Sequence, residues 1–522
     1  MQNLFADLLC PYCQEATLQL RVDSSKSKGL ALCCIIHCGT CDKEVSSTMS
    51  SAKIDSYTYD VNRRFVAGML NAGLGYGGAD RFCGVAGVCN MSHNAFNEHT
   101  NAIFSATKEF SSKQIEKSIR KVREVHGATG SETIDVAVSF DGSWQKRGHT
   151  SKHGIGAVIE QETGLVIDYH VLSSYCQTCA TTGQDMKDSP DYAAWVEEHK
   201  QDCCANHTGS AGAMEVAAAK VLWGRSLESA LRYTTLISDG DSKTLSELQK
   251  MAPYGTTDIE KEECVNHVSK RLGTALRSLV SDEKKRGVTL GGTKSGSLTQ
   301  AKIGLLQRYY KNAVISNNGS IQELQNKIWA SFYHSISSDT KPTHDLCPEG
   351  SNSWCFYKKA VAKGEAIPSH EKKSKTFLNE VVAKYVKPVY ERLTQDKLMS
   401  RCLLGMTQNA NESFHSVVWS HCPKHIFVGS KRVAIATALA VANFNRGSRG
   451  VLEFVEAIGC SVTREMESRG AKRDQLRVSR AEKGEMTEVK RRRAKRTLDN
   501  ISREEGLAVA EGNLYLAGAA DD

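Results

Sequence analysis

Eighteen cysteines in 522 residues constrain this chain more than any other feature. Several come as C-x-x-C pairs or stand beside histidines. That pattern reads as metal binding in a reducing compartment, and as disulfides only in a secreted chain. The start, MQNLFADLLC, lacks a basic segment followed by a long apolar one, so no secretory signal is legible. The longest apolar run, Val433–Ala442, is too short to span a bilayer. The expectation is a soluble intracellular protein with no membrane partner and with cysteines as metal ligands.

Cys10-x2-Cys13 and Cys38-x2-Cys41 are separated by 24 residues. Two such knuckles converge on one tetrahedral Zn2+, for which thiolates are suitably soft ligands. The stretch between them, TLQLRVDSSKSKGLALCCII, reads as a β-hairpin, so residues 1–50 are expected to be a zinc ribbon with Cys33 and Cys34 spare in a strand. So small a module buries too little apolar surface to fold alone, and structural Zn2+ would supply much of its stability. A second group is Cys176-x2-Cys179 followed, after 19 intervening residues, by His199-x3-Cys203. It reads as a zinc knuckle, although Cys204 and His207 lie next door and the histidine and cysteine that ligate are left open; ordinary buried cysteines are the alternative. A third group is His334, His344, Cys347 and Cys355; the alternative there is a loop packed around Trp354. Cys264-x2-His267 is weaker, and a buried cysteine with a capping or core histidine is the better reading of it taken alone.

The length predicts several domains. Hydrophobic residues at 40% and charged residues at 24% are ordinary for a globular chain and exclude wholesale disorder. A net charge of +8 permits a nucleic-acid partner without demanding one. Residues 56–73 and 100–126 carry apolar positions at helical spacing, with a Gly-rich break at 73–80 between them. From 133 the texture turns β-branched and alternating. TIDVAVSF, GIGAVIEQ and LVIDYHVLSSY predict an antiparallel meander. A helix over 211–231, a strand over 232–239, a helix over 242–251, a short strand near 259 and a helix over 268–280 follow. That order describes an α/β mixed sheet. Residues 282–405 read as a helical insertion, and 409–422 restart a helix with Asn409 or Asn411 as N-cap.

Carboxylates stand at informative places. Asp141 is expected to end the first strand of the meander, in SFDGSW, and Asp239 the fourth strand, in LISDGD, with Asp241 two residues on. Strand-end acids are common turn formers. On neighbouring strands, however, two of them with a third acid from a helix make a hard-oxygen site for Mg2+ or Mn2+. Two such ions, about 4 Å apart, activate a water or hydroxyl at a phosphodiester. Glu412, in TQNANESFHSVVW, is the third acid.

These pieces in this order resemble the Mutator-like transposases, a eukaryotic DDE family with an RNase H-like catalytic core. The likeness lies in VSFDGSWQKRGH, LISDGD, the C-x-x-H of Cys264 and His267, and NANESFHS, with NHTGSAGAMEVAAAKVLWGRS and HDLCPEGSNSWCFY pointing to an animal-type branch. It implies Asp141, Asp239 and Glu412 as the catalytic triad, with Asp241 the rival second acid. It implies strand cleavage at transposon ends followed by attack of the freed 3′-OH on target DNA. Glu412 stands 173 positions after Asp239, and the long stretch between them would then hold an insertion that shapes a DNA channel. The domains expected are the ribbon (1–50), a helical DNA-binding or linker region (51–131), and the first part of the core with its knuckle insertion (132–281, insertion 176–207). The helical insertion (282–405), the catalytic helix and end of the core (406–460), and a basic then acidic tail (461–522) complete them.

Double-stranded DNA, both transposon ends and target, is the partner implied, and holding two ends together implies a homo-oligomer. Lys146, Arg147 and His149, just past Asp141, and Lys270, Arg271 and Arg277 are candidate phosphate contacts; solvated surface charge is the alternative. Trp144 can stack on a frayed base or pack on the sheet edge. Residues 461–500 carry 13 lysines and arginines against seven acids. Within them KRRRAKR (490–496) reads as a nuclear-import signal or DNA-contacting arm, or as a charged helix face. A nuclear location follows from the first reading. The competing function is a catalytically retired relative kept as a zinc-dependent DNA-binding or chromatin protein, and a third is an RNase H-like nuclease acting on another nucleic acid.

Overall fold

The computed structural model describes residues 7–146, 151–239, 242–317 and 319–485. They pack as two units. The first holds the chain up to Tyr233, Ser246–Thr256 and Asn409–Leu476; the second holds Thr234–Leu245, Thr257–Gln408 and the chain from Arg477. Elements are numbered along the chain.

The first unit begins with an antiparallel three-stranded ribbon, β1 (Leu18–Lys28), β2 (Ala31–Cys38) and β3 (Glu44–Met49), in the order β1-β2-β3. Gly29, at φ +61°, makes the tight turn between β1 and β2. The register runs from Leu18 opposite Cys38 to Cys33 opposite Met49, so the ribbon adds a third strand to the expected hairpin. Few of its side chains are buried, Ala31, Cys33 and Cys38 among them. Asn62 ties the ribbon to the next helix by accepting from the Leu30 N–H and donating to the Lys28 carbonyl, both at 2.9 Å.

Helices α1 (Asp60–Asn71), α2 (Tyr76–Ala86) and α3 (His93–Val125) follow. The expected break at 73–80 is shorter than its glycines suggested. Only Gly73, at φ +78° and with the Ser420 carbonyl 2.8 Å from where a Cβ would lie, requires glycine, and the chain is helical again from Tyr76. Beyond α3 come β4 (Ile134–Trp144), β5 (His153–Glu160) and β6 (Val166–Ser173), the antiparallel meander. Every residue of β5 is buried, because helices cover both of its faces. On one face lies α5 (Met214–Arg225), reached after a Cys/His-bearing excursion containing α4 (Tyr192–His199). Phe140 and Trp223 meet edge to face at 5.7 Å there. A Cβ on Gly156 would stand 2.6 Å from the Ala218 Cβ, so glycine in the strand and alanine in the helix together permit the close approach. On the other face lie α12 (Asn409–His421) and α13 (Ser430–Arg446), whose Phe414, Val418, Val433, Ala436 and Ala440 pack against Ile155, Ala157, Ile159 and Val166.

Helices α14 (Ser448–Ala457) and α15 (Arg464–Glu485) close the described chain. The Asp474 carboxylate accepts from the Ser448 N–H at 2.9 Å, capping α14 where the helix dipole favours an anion. The basic run 490–496 lies outside the described residues.

Strand β7 (Leu231–Ser238) enters beside β4, where the Ile134 N–H donates to the Ala230 carbonyl at 3.2 Å, and pairs in parallel with β8 (Glu260–Glu263). The sheet is therefore mixed, in the order β6-β5-β4-β7-β8. Between β7 and β8 runs α6 (Ser242–Met251).

The body of the second unit is helical: α7 (Val265–Lys285), α8 (Gln300–Ile315), α9 (Ile321–Ile336), α10 (Phe356–Lys363) and α11 (Glu380–Leu393). Its core draws Leu272 and Leu276 from α7, Ile303, Leu306 and Tyr310 from α8, Leu324, Ile328 and Phe332 from α9, and Val386 and Tyr390 from α11. Spacings of three and four residues put these on single faces.

Candidate functional site

Asp141 lies inside β4 rather than at its end, paired in register with Ala157 of β5. DGSW reads as a turn in sequence, but Gly142 sits in a crowded place in the strand: a Cβ there would come within 3.1 Å of the Trp144 ring and 3.3 Å of the Glu215 side chain. Trp144 itself donates its indole N–H to the Ala211 carbonyl at 2.8 Å, so it packs at the sheet rather than offering a free ring.

Asp141 and Glu412 line one open cleft of about 550 Å3 in the first unit, together with Ser143, His415, Trp419 and Lys424. Asn411 fixes the helix that brings Glu412 there. It is fully buried and donates to the Ala157 carbonyl at 3.1 Å and the Ser139 carbonyl at 3.4 Å, joining the first turn of α12 to β4 and β5. His415, three residues on and so on the same helix face as Glu412, places Nδ1 3.4 Å from an Asp141 carboxylate oxygen. Trp419 donates to the Ser143 hydroxyl at 2.8 Å, and the Lys424 ammonium lies 5.0 Å from the Trp419 ring centre. The cleft thus offers hard oxygen ligands open to water, with a cation on its wall. Such carboxylates suit Mg2+ or Mn2+, which keep several waters when bound.

Asp239 directly follows β7 in the second unit, with its side chain exposed, and lies 3.3 Å from His267 Nδ1. Cys264 is buried and stands at the N-cap of α7, where its sulfur accepts from the Gln408 N–H at 3.4 Å. The C-x-x-H pair therefore divides its labour: the cysteine seats the helix and the histidine faces the acid. Asp241 lies outside the described residues.

Each of the three Cys/His groups brings four ligand atoms within 4.8 Å of one another. In the ribbon, Cys10 and Cys41 sulfurs are 3.7 Å apart and Cys13 and Cys38 sulfurs 3.5 Å apart. A tetrahedron with Zn–S of about 2.3 Å has edges of about 3.8 Å, so the spacing fits zinc. The Cys41 N–H and the Thr17 hydroxyl lower the pKa of the Cys38 thiol to about 5. In the second group Cys176 sulfur lies 3.3 Å from His199 Nε2, and Cys179 and Cys203 sulfurs are 3.6 Å apart. Burial pushes Cys176 up, but the N–H groups of Cys179 and Cys204 and the His199 ring outweigh it and leave it at about 6. His207 hydrogen-bonds the Ser210 carbonyl at 3.1 Å instead of joining the group, and Cys204 sulfur faces the Asp202 carbonyl.

The third group, in the second unit, is the most enclosed, with all four members buried. His344 Nδ1 faces Cys355 and Cys347 sulfurs at 3.4 and 3.6 Å. Its Nε2 lies 2.8 Å from His370 Nε2 and 2.9 Å from the Ser337 hydroxyl. His370 Nδ1 in turn meets the Asp339 carboxylate at 2.6 Å. Such outer partners orient a ligating ring and fix which nitrogen is free to ligate. Sequence spacing singled out the four candidate ligands but missed Ser337, Asp339 and His370, which follow no ligand spacing.

Of the candidate phosphate contacts, Lys146 and Lys270 are exposed. Arg271 forms an ion pair with buried Glu263 at 2.7 Å, and Arg277 donates to the Gln300 side chain at 3.0 Å. Arg147 and His149 lie outside the described residues. Among those residues no helix is long and apolar enough to cross a membrane.

A search of curated proteins finds no match. The sequence model of a DNA-transposase family, described as Mutator-like transposase, matches residues 2–355. That span takes in the ribbon, the meander, both strand-associated aspartates and all three Cys/His groups, and it covers more than half of the chain. The chain therefore belongs to the Mutator-like transposase family.

Proposed function

We propose that this protein is a DDE-type DNA transposase that cleaves strands at transposon ends and joins the freed 3′-OH to target DNA. The observation that carries this reading is the cleft in which Asp141 and Glu412 stand together, in a chain of a transposase family. Asp141, Asp239 and Glu412 are the proposed holders of two Mg2+ or Mn2+ ions, with Asp241 as the rival to Asp239. When bound, those ions would polarise the scissile phosphate and lower the pKa of the attacking water or hydroxyl. The protein's own part is positioning. His415 orients Asp141, His267 orients Asp239, and Asn411 fixes the helix that carries Glu412. Lys424 on the cleft wall supplies positive charge beside a phosphate, and Lys146, Arg147 and Lys270 are proposed to track the DNA backbone. The mixed sheet with its covering helices is proposed to be an RNase H-like core, the three Cys/His groups to hold structural Zn2+, and the protein to work in the nucleus as a homo-oligomer.

The test separates binding from chemistry. Purified protein is given DNA carrying the element's own ends with Mg2+ or Mn2+, beside Asp141→Asn. Metal-dependent nicking that disappears in the variant while end binding persists is the expected result. A variant that loses binding and keeps its share of nicking would overturn the assignment of Asp141.

A further inference from the structure

The third Cys/His group clamps a loop that forms one wall of a second cavity. Residues 337–355 contain no helix or strand, so the conformation of Leu346, Pro348 and Trp354 depends on the ligands His344, Cys347 and Cys355 that flank them. The cavity measures about 490 Å3 and its opposite wall is built by α8 and α9. Trp354 remains 41% exposed although its ring stacks on Tyr309 at 4.9 Å and 27°. The same indole meets His334, another member of the group, edge to face at 5.0 Å. A large aromatic surface is thus held rigid and left uncovered.

The polar groups around it are selective. Asn312 and Ser316 offer an amide and a hydroxyl, the pair of donor and acceptor chemistries that a heterocycle edge requires. Lys327 lines the cavity, Arg308 and Lys311 are the neighbours in sequence of the lining residues Tyr309 and Asn312 on α8, and no acid is among the described residues that line it. The loop's Glu349 is taken up by Lys358 at 3.1 Å. An apolar peptide would need none of these cations, whereas a nucleotide needs both an aromatic face for the ring and positive charge for its phosphate.

We propose that this cavity receives an unpaired nucleobase of a DNA strand, stacked on the Trp354–Tyr309 platform, and that the Cys/His group exists to hold that platform in place. The inference rests on the DNA-processing reading above. Base–aromatic stacking is indifferent to sequence, so the cavity would serve frayed or flipped bases in general.

The test uses the full chain with two DNAs: a fully paired duplex, and the same duplex with a single-stranded overhang carrying 2-aminopurine, whose emission falls on stacking. Trp354→Ala is expected to weaken overhang binding by about 5- to 150-fold and abolish the quenching, with duplex binding unchanged. Trp354→Phe should retain most of both. Asn312→Leu, an exposed position remote from the Cys/His group, removes the amide offered to the base edge and should also weaken overhang binding, and zinc content by mass spectrometry should stay at the wild-type value in all three. Wild-type affinity and quenching in both Trp354→Ala and Asn312→Leu, with duplex binding intact, would overturn the proposal and leave the transposase reading standing. Loss of self-association without any change on DNA would make the cavity a protein contact and overturn it as well. Failure of the wild type to bind either DNA would remove the reading on which the proposal rests.

Discussion

At the scale of single residues, two histidines each stand 3.3–3.4 Å from a carboxylate assigned to metal binding, His415 from Asp141 and His267 from Asp239. Neither was assigned that role by its place in the sequence. A partner that orients a ligand acts on metal affinity, so His415→Ala should raise the Mg2+ concentration needed for half-maximal cleavage by about 10- to 100-fold. A metal titration of nicking measures this; a lowered melting temperature with an unchanged metal requirement would reduce His415 to a packing residue. Glu262 in β8 shows the opposite case, an acid with no such use. Burial raises its pKa from 4.5 to about 7, against the pull of the Leu404 N–H. Because the folded value is raised, the folded state favours the neutral acid. Its contribution to stability is full below about pH 4.5 and is lost as the pH rises to about 7. Glu262→Gln should flatten that dependence and stabilise the protein above pH 7 by about 1 kcal/mol after screening is allowed for, read from denaturant unfolding at several pH values.

At the scale of elements, the ligand groups were legible because their members sit close together in chain, in knuckles whose spacing the metal dictates. Asp339 and His370 escaped notice because their link to His344 is made only when the loop closes on α9 and α10. EVSSTM hid a strand, β3, because only Val45 and Met49 of its six residues are apolar and its pairing comes from the ribbon. Asp141 was expected at a strand end because aspartate and glycine signal a turn, yet β4 continues to Trp144 under the covering helices. The run MEVAAAK announced a helix but not its purpose, which is to let α5 lie close on β5. Gly156→Val should break that contact, since the neighbour it meets at 2.6 Å is an alanine Cβ with nowhere to turn. A loss of about 1–3 kcal/mol in thermal or denaturant unfolding is expected; an unchanged stability would contradict the packing described.

At the scale of the whole molecule, the helical second unit and the mixed sheet follow from periodicity and strand order. What the sequence could not convey is which residues a later segment brings back. Asn411 and Glu412 return to β4 after some 270 residues, and only the meander and α12 together make their cleft. Three separated Cys/His groups predict a stoichiometry: the purified chain should carry about three equivalents of zinc, and Cys38→Ser should remove one and unfold the ribbon. Elemental analysis beside proteolysis of residues 1–50 reports both, and one equivalent or none would refute the assignment of the groups.

The central claim is that Asp141 and Glu412 serve strand transfer, and a joining assay tests it most directly. Pre-cleaved element ends with exposed 3′-OH groups are mixed with target plasmid, Mg2+ and the full chain. Joined products from the wild type, absent with Asp141→Asn and with Glu412→Gln although both variants still bind the ends, are the expected result. Joining that survives either substitution, or tight binding to the ends with no product from the wild type under Mg2+ or Mn2+, would contradict the account.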